Sequence, residues 1–435
     1  MSTPRTTFEA LPPGESGLVS ARPGPDLAVH DFVEREYVAR GTATSLGAHP
    51  PAPYATRVVV RRPASPGSSS GTVVVEWLNV SSGSDAAPDW TCLAAEVVRR
   101  GHAWVGVSAQ HVGVEGGPTL VALGGVAPTG LKARSRYAAL SHPGDAWCHG
   151  IFTDVAKAMD DRDGPLGDLV VDVRLAVGES QSAIALTTYA NEVRGHPFAG
   201  FLVHSRGGPG LPPGEPGCGV DLRAHRGDPP VLFRDDLDVP VLVVQTETDL
   251  LLLGSLAARQ PDTDRLRLWE VAGAAHADRY QIDTFEDLLG CPLPVNRGQQ
   301  AFVARAALRR LDEWARGGAA PPVADRLVVE DGAFVLDADG NARGGVRTPA
   351  VDAPVELLRG DSAPGASYVC RLFGSTLAVP VDTLRARWPD AETYLAAYAE
   401  ATERGVAAGV VLPEDRAELL ADARPDLVRA AHGMA

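Results

Sequence analysis

The chain has 435 residues, 45% hydrophobic and 22% charged, the make-up of a folded body with a deep core and not of a disordered or fibrous chain. Its 40 Lys+Arg face 55 Asp+Glu, a formal net charge of -15, and no stretch is dense in Lys or Arg without neutralising acids. A field of that sign repels phosphate backbones and anionic lipid, which argues against nucleic acid and membrane partners.

In chain order, the opening MSTPRTTFEALPPGESG lacks the apolar run of a secretory signal, and no run of about 18 apolar residues follows, so a cytoplasmic location is expected. A strand is predicted at Arg57–Arg61, then the Ser-rich turn SPGSSSG, a strand at Thr72–Leu78, a helix at Trp90–Arg100 and a strand at Ala103–Ser108. A helix at Asp145–Met159 precedes a strand at Val173–Val177, a helix at Ser180–Val193 and a strand at Ala199–His204. A Gly- and Pro-rich segment at about 205–238 is too long for a tight connection and reads as a lid or a surface loop. Strands at Pro240–Gln245 and Leu266–Ala272 and a helix at Arg297–Trp314 complete the alternation. This rhythm specifies an α/β core, residues 1–320, with a mostly parallel sheet covered on both faces. The extension from 321 to 435 carries turns, short edge strands and helices at Ala391–Ala408 and Glu414–Ala421, apolar enough to pack on the core. No internal repeat or coiled-coil pattern is present.

The stretch LAVGESQSAIAL, Leu175–Leu186, carries the chemistry. A serine must project from the backbone to attack a carbonyl, and a sharp strand-to-helix turn provides that exposure at the cost of a strained backbone. Crowding in the turn calls for small residues two before and two after, and Gly178 and Ser182 flank Ser180 there, with Ser182 in place of the more usual glycine. An acid and a histidine should follow in that order. QTETD places Asp249 in the loop beyond a strand end, where ligands bind in open sheets; Glu247, closer to the strand, is the alternative acid. WEVAGAAHAD places His276 just after the next strand. Donors for a developing oxyanion are expected from the Gln181 amide and from Asn79 or Val80 in NVSSGSD.

The segments VEWLNVSSGSDAAPDW, LSHPGDAWCHGIF, VGESQSA, FLVHSRGG, QTETD, WEVAGAAHAD and GGVRTPAVDAP together resemble a bacterial esterase-like family, the alpha/beta hydrolase domain-containing proteins. The match runs from about residue 55 to near the C-terminus, which makes the tail part of the family's unit. The resemblance implies the α/β-hydrolase fold, Ser180 as nucleophile, His276 as base, an acid in QTETD, and no cofactor. It implies no particular substrate. In GDAWCHGIF the pair Cys148-His149 stands where the family pattern leads one to expect Ser-Tyr or similar, so Cys148 is a candidate for shaping the pocket. As a second nucleophile it is disfavoured, because sequence-adjacent Cys and His seldom face each other. Arg206, at the carboxyl end of a strand, is a candidate for binding a substrate carboxylate or carbonyl, or else for anchoring the lid by a salt bridge. His102 and His111 read as structural.

The expected reaction is therefore hydrolysis of a small-molecule carboxylic ester or lactone through an acyl-enzyme, with acyl transfer to another acceptor or lactone formation as the alternative and a non-catalytic binding module as the rival class. No helical His pair at i, i+4 with a carboxylate points to a metal. The five cysteines are odd in number, scattered and without C-x-x-C spacing, so reduced thiols and no metal site are expected. No coiled-coil or repeat pattern assigns an oligomeric state.

Overall fold

The computed structural model describes residues 5–14, 16–20, 22–121 and 129–433. Among them, nine strands form one sheet, β1 (Thr7–Ala10), β2 (Phe32–Ala43), β3 (Ala52–Pro63), β4 (Thr72–Trp77), β5 (Ala103–Val107), β6 (Val173–Glu179), β7 (Gly200–His204), β8 (Val241–Thr246) and β9 (Leu266–Val271). Their order is β1-β2-β3-β5-β4-β6-β7-β8-β9. From β5 to β9 every neighbouring pair is parallel, while β1, β2 and β3 join antiparallel at one edge. This is the α/β-hydrolase fold.

Continuous apolar runs such as TVVVEW in β4 and VLVVQT in β8 follow from burial on both faces. On one face α1 (Pro88–Arg100) and α5 (Gln300–Ala315) press Leu93, Val97, Leu308 and Leu311 onto Val74, Val177 and Leu202. On the other, α2 (Cys148–Ala158) and α3 (Gln181–Glu192) press Phe152, Leu186 and Tyr189 onto Val75, Ala176 and Val203. The short helix α4 (Glu247–Leu251) sits at the end of β8. The carboxylate of Glu76, near the end of β4, accepts the amides of Asp89 (3.1 Å) and Trp90 (2.8 Å), so the strand itself caps the helix that follows it.

Composition hid β2. In FVEREYVARGTA, Glu34 and Glu36 mask the alternation, yet they pair with arginines of the adjacent β3: Arg61 Nε lies 2.6 Å from Glu34 and Arg57 Nη1 lies 3.4 Å from Glu36. The extension beyond residue 320 joins the sheet edge through Val346, whose amide donates to Glu270 O (2.6 Å) and whose carbonyl accepts from Ala272 (3.0 Å). Farther on, α6 (Ala391–Ala407) packs Tyr394 and Tyr398 with Trp388 and Val428 in a cluster of their own. No helix among the described residues is long and apolar enough to cross a membrane.

The cysteines correct one expectation. Cys291 and Cys370 form a disulfide across a sequence separation of 79, while Cys92 and Cys148 are buried thiols and Cys218 is exposed. A pairing between an irregular segment and a short helix so far apart in sequence leaves no spacing signal to read.

Candidate active site

Strand β6 ends at Glu179, and Ser180 turns the chain into α3 with φ 63° and ψ -119°. That conformation is strained for any residue with a Cβ, and the packing around it holds it there. A Cβ on Gly178 would lie 2.9 Å from Leu186 Cδ1 and 3.0 Å from Ser182 Cβ, which explains why both flanking positions are small.

Ser180 Oγ lies 2.7 Å from His276 Nε2, and His276 Nδ1 lies 2.6 Å from Asp249 Oδ1. The second oxygen of Asp249 accepts the Thr246 amide (2.7 Å), and Thr246 Oγ1 accepts the Asp249 amide (3.4 Å), a reciprocal cap that fixes the carboxylate at the start of α4. Asp249 thus occupies a helical first turn and not the loop expected from sequence. Burial works against the His276 imidazolium, but the hydrogen bond and charge of Asp249, with Glu179 adding to them, outweigh it and raise the histidine above its ordinary range.

The structure separates Glu247 from this chain of contacts. Its Oε1 accepts the Gly273 amide (2.7 Å) and its Oε2 the Gly360 amide (2.8 Å), so it ties the loop before His276 to the C-terminal extension. Gly360 has to be glycine for that approach, since a Cβ there would sit 2.3 Å from Glu247 Cβ. Burial pushes the Glu247 carboxyl up to about 7, against the pull of those two amides.

The Gln181 backbone N–H opens α3, one of the helix-start donors with no intrahelical partner. The other two candidate donors are engaged: the Asn79 amide donates to Ala86 O (2.9 Å) and the Val80 amide to Gln181 Oε1 (3.2 Å). The Asn79 side chain instead braces the turn, donating to Glu179 O (3.0 Å). Gln181 Nε2 in turn donates to Gln110 Oε1, which also accepts Trp77 Nε1 (3.0 Å). Val80 is therefore held against the nucleophile turn by the side chain of Gln181, itself braced by Gln110.

Beside Ser180 and His276 opens a cavity of about 160 Å³. Its wall is apolar, formed by Ile282, Phe285 and Leu289 on one segment and Leu372 and Phe373 on another. The Cys291–Cys370 disulfide joins these two segments just beyond the wall. Glu179, Thr91 and Gln281 supply polar surface. The apolar wall residues carry no mark in the sequence, because they sit on, or directly after, helices of three to five residues, too short for a period to show.

Arg206 and Cys148 lie outside this cavity. Arg206 is buried, and its guanidinium donates to Val231 O (2.7 Å) and Thr187 Oγ1 (3.3 Å) while lying 5.1 Å from the Phe233 ring centre. It ties the 205–238 segment to itself at Val231 and to α3 at Thr187, and among the described residues it makes no salt bridge and lines no part of the Ser180 cavity. Cys148 is fully buried with Sγ 3.4 Å from His149 Nδ1, so the adjacent pair does meet, but burial holds the thiol well above its usual range.

A family model described as an alpha/beta hydrolase domain matches residues 2–421, which takes in the N-terminal strands as well as most of the extension. No curated protein matches the chain. Similar solved structures include an esterase of Pyrococcus furiosus (9% identity, 58% of this chain and 87% of that one, TM-score 0.30). A serine hydrolase of Xanthomonas campestris is 14% identical over 62% of this chain and 94% of its own, with TM-score 0.31. The esterase domain of a Rhodothermus marinus protein is 14% identical over 66% and 98%, with TM-score 0.29.

Proposed function

This chain belongs to the alpha/beta hydrolase domain family, and from that premise we propose that it is a serine hydrolase of carboxylic esters or lactones working through an acyl-enzyme. The observation that carries the proposal is the unbroken contact from Ser180 Oγ through His276 to Asp249, at the floor of an apolar cavity. His276 takes the Ser180 proton as Oγ attacks the carbonyl carbon, and Asp249 holds the imidazole with its other proton on Nδ1. The Gln181 amide faces the oxyanion, and the Val80 amide becomes a second donor once it exchanges its bond to the Gln181 side chain for the substrate oxygen. His276 then protonates the leaving alcohol, and water, activated by the same histidine, resolves the acyl-enzyme. Small-molecule substrates suit the cavity. The extension from 321 to 435 belongs to the working unit in this reading, since Leu372 and Phe373 wall the cavity and Gly360 binds Glu247.

A fluorophosphonate probe, which reacts with a serine only when a base and oxyanion donors activate it, tests this directly. The expected result is a single adduct on the peptide containing Ser180, lost in Ser180→Ala together with turnover of p-nitrophenyl esters. Ester turnover by Ser180→Ala at near the wild-type rate removes Ser180 from the mechanism.

A further inference from the structure

Among the described residues lining the cavity there is no Lys or Arg, and Glu179 is the one carboxyl. It immediately precedes the nucleophile, is 3% exposed, and its Oε2 has no hydrogen-bond partner among the described residues. The parallel register sets it beside His204 of β7, so the two side chains leave the same face of the sheet. His204 Nδ1 bonds Asp89 Oδ1 (3.0 Å), while His204 Nε2 and Asp89 Oδ2 also lack partners. Buried polar groups are ordinarily satisfied, and leaving one unsatisfied costs about 1–3 kcal/mol. Three such atoms in one cluster, one of them on a residue lining the cavity, mark a place prepared for a polar group brought from outside.

The chemistry of that group follows from its surroundings. Burial pushes the Glu179 carboxyl up to about 7, so near neutral pH it both donates and accepts. Burial works against a charged His204, but Asp89 outweighs it and raises the imidazole to about 9, so a cation sits next to Glu179 and disfavours an ammonium ligand. A carboxylate ligand meets no Lys or Arg in the lining and faces two carboxyl groups, Glu179 and Asp89, against the one His204 cation. A neutral hydroxyl satisfies both limits. The cavity, about 160 Å³, is the size of one that holds a benzene ring, roughly 150 Å³, and so suits a short acyl group.

We propose that Glu179 sets substrate specificity by hydrogen-bonding a hydroxyl on the acyl group close to the reacting carbonyl, which makes short hydroxyacyl esters or their lactones the preferred substrate class. The inference rests on the serine-hydrolase reading above. It is tested by kcat/KM for methyl β-hydroxybutyrate and methyl butyrate with the wild type, Glu179→Gln and Glu179→Leu, each checked for a wild-type-like melting transition. The expected wild-type ratio is about tenfold or more in favour of the hydroxy ester, the worth of one good hydrogen bond to a charged or partly charged partner. Glu179→Leu brings the ratio to about one, and Glu179→Gln, which keeps donor and acceptor, restores part of it. A wild-type ratio near one overturns the inference whether or not the variants fold, and so does a folded Glu179→Leu that keeps the wild-type ratio. Equal turnover of the two esters leaves the hydrolase reading standing. Turnover of neither, with no fluorophosphonate adduct on Ser180, overturns both.

Discussion

Replacing Asp249 by Asn, beside a parallel Glu247→Gln, separates two buried carboxylates two residues apart that composition cannot tell apart. Asp249 Oδ1 lies 2.6 Å from His276 Nδ1 and Oδ2 accepts the Thr246 amide, so an asparagine keeps the shape and one acceptor but can present its amide nitrogen to the imidazole. The ring then carries its proton on Nε2, facing Ser180, and no longer accepts from Oγ. A change of this kind in a Ser-His-Asp triad costs about 10⁴ in kcat, or about 5.5 kcal/mol at 1.36 kcal/mol per tenfold. The Glu247 carboxyl accepts the Gly273 and Gly360 amides, so Glu247→Gln leaves one of two buried bonds unmade and removes about 1–3 kcal/mol of stability. Its kcat should fall less than about tenfold, because nothing it touches is a reacting group. Initial rates on a p-nitrophenyl ester, with melting temperatures on the same preparations, read both quantities. A Glu247→Gln enzyme that loses as much activity as Asp249→Asn while melting normally refutes the assignment of the acid.

Four further outcomes follow from the same contacts. Ser180→Ala should abolish ester turnover with little change in Tm, while Ser180→Gly, free of a Cβ at φ 63°, should raise Tm by about 1–3 °C despite losing all activity; differential scanning calorimetry decides. Because His276 must be neutral to take a proton and its imidazole is raised, the acid limb of kcat/KM should fall above about pH 6.5, the ordinary histidine value, and a limb well below that value counts against Asp249 as its partner. Cys291→Ser removes a closure of 79 residues, worth up to about 4.5 kcal/mol in the chain-entropy account; for a chain this long that is a fall in Tm of about 5 °C, and an unchanged Tm under matched conditions means that the bond does not constrain the unfolded chain. Arg206→Met should destabilise by about 1–3 kcal/mol through the stranded Val231 carbonyl, with KM for short esters unchanged; a large rise in KM returns Arg206 to the substrate.

What the sequence reveals of this protein is what local chemistry imposes. Strand β6, the small residues around Ser180, and the order of Ser180, Asp249 and His276 are all legible because each is dictated within a few residues: apolar runs for a sheet covered on both faces, tight packing for the turn, strand ends for the loops. β2 stayed hidden because Glu34 is paired with Arg61 across the register with β3, and Glu36 with Arg57 of β3 and with Arg136, 100 residues away, arrangements that exist only in the folded chain. The same holds for the cavity wall, where Phe285 and Phe373 come from segments far apart in sequence that the Cys291–Cys370 disulfide joins. Asn79 and Val80 follow the end of β4, but the engagement of their amides is not written locally: Asn79 donates to Ala86 O, and Val80 to Gln181, whose side chain folds back over the turn.

The histidines show most sharply where sequence reading stops. His204 and His276 each follow or end a strand, each finds an aspartate, His204 Asp89 at 3.0 Å and His276 Asp249 at 2.6 Å, and both are buried. What distinguishes them is the far nitrogen: His276 Nε2 lies against Ser180 Oγ, whereas His204 Nε2 has no partner among the described residues. Ser180 has left the plane of the sheet through its strained turn and meets the histidine of the loop, while Glu179, still in the strand, keeps the histidine of the neighbouring strand beside it. One residue step across the end of β6 thus separates a pair fitted to move a proton from a pair that holds a fixed charge. For the proposed specificity that fixed charge matters, because the Glu179 carboxyl is stabilised in its ionised form by both imidazoles, against a larger opposing effect of burial. Removing His204's partner with Asp89→Asn should therefore weaken the charge beside Glu179, and the hydroxy-ester preference is the quantity in which that change would register.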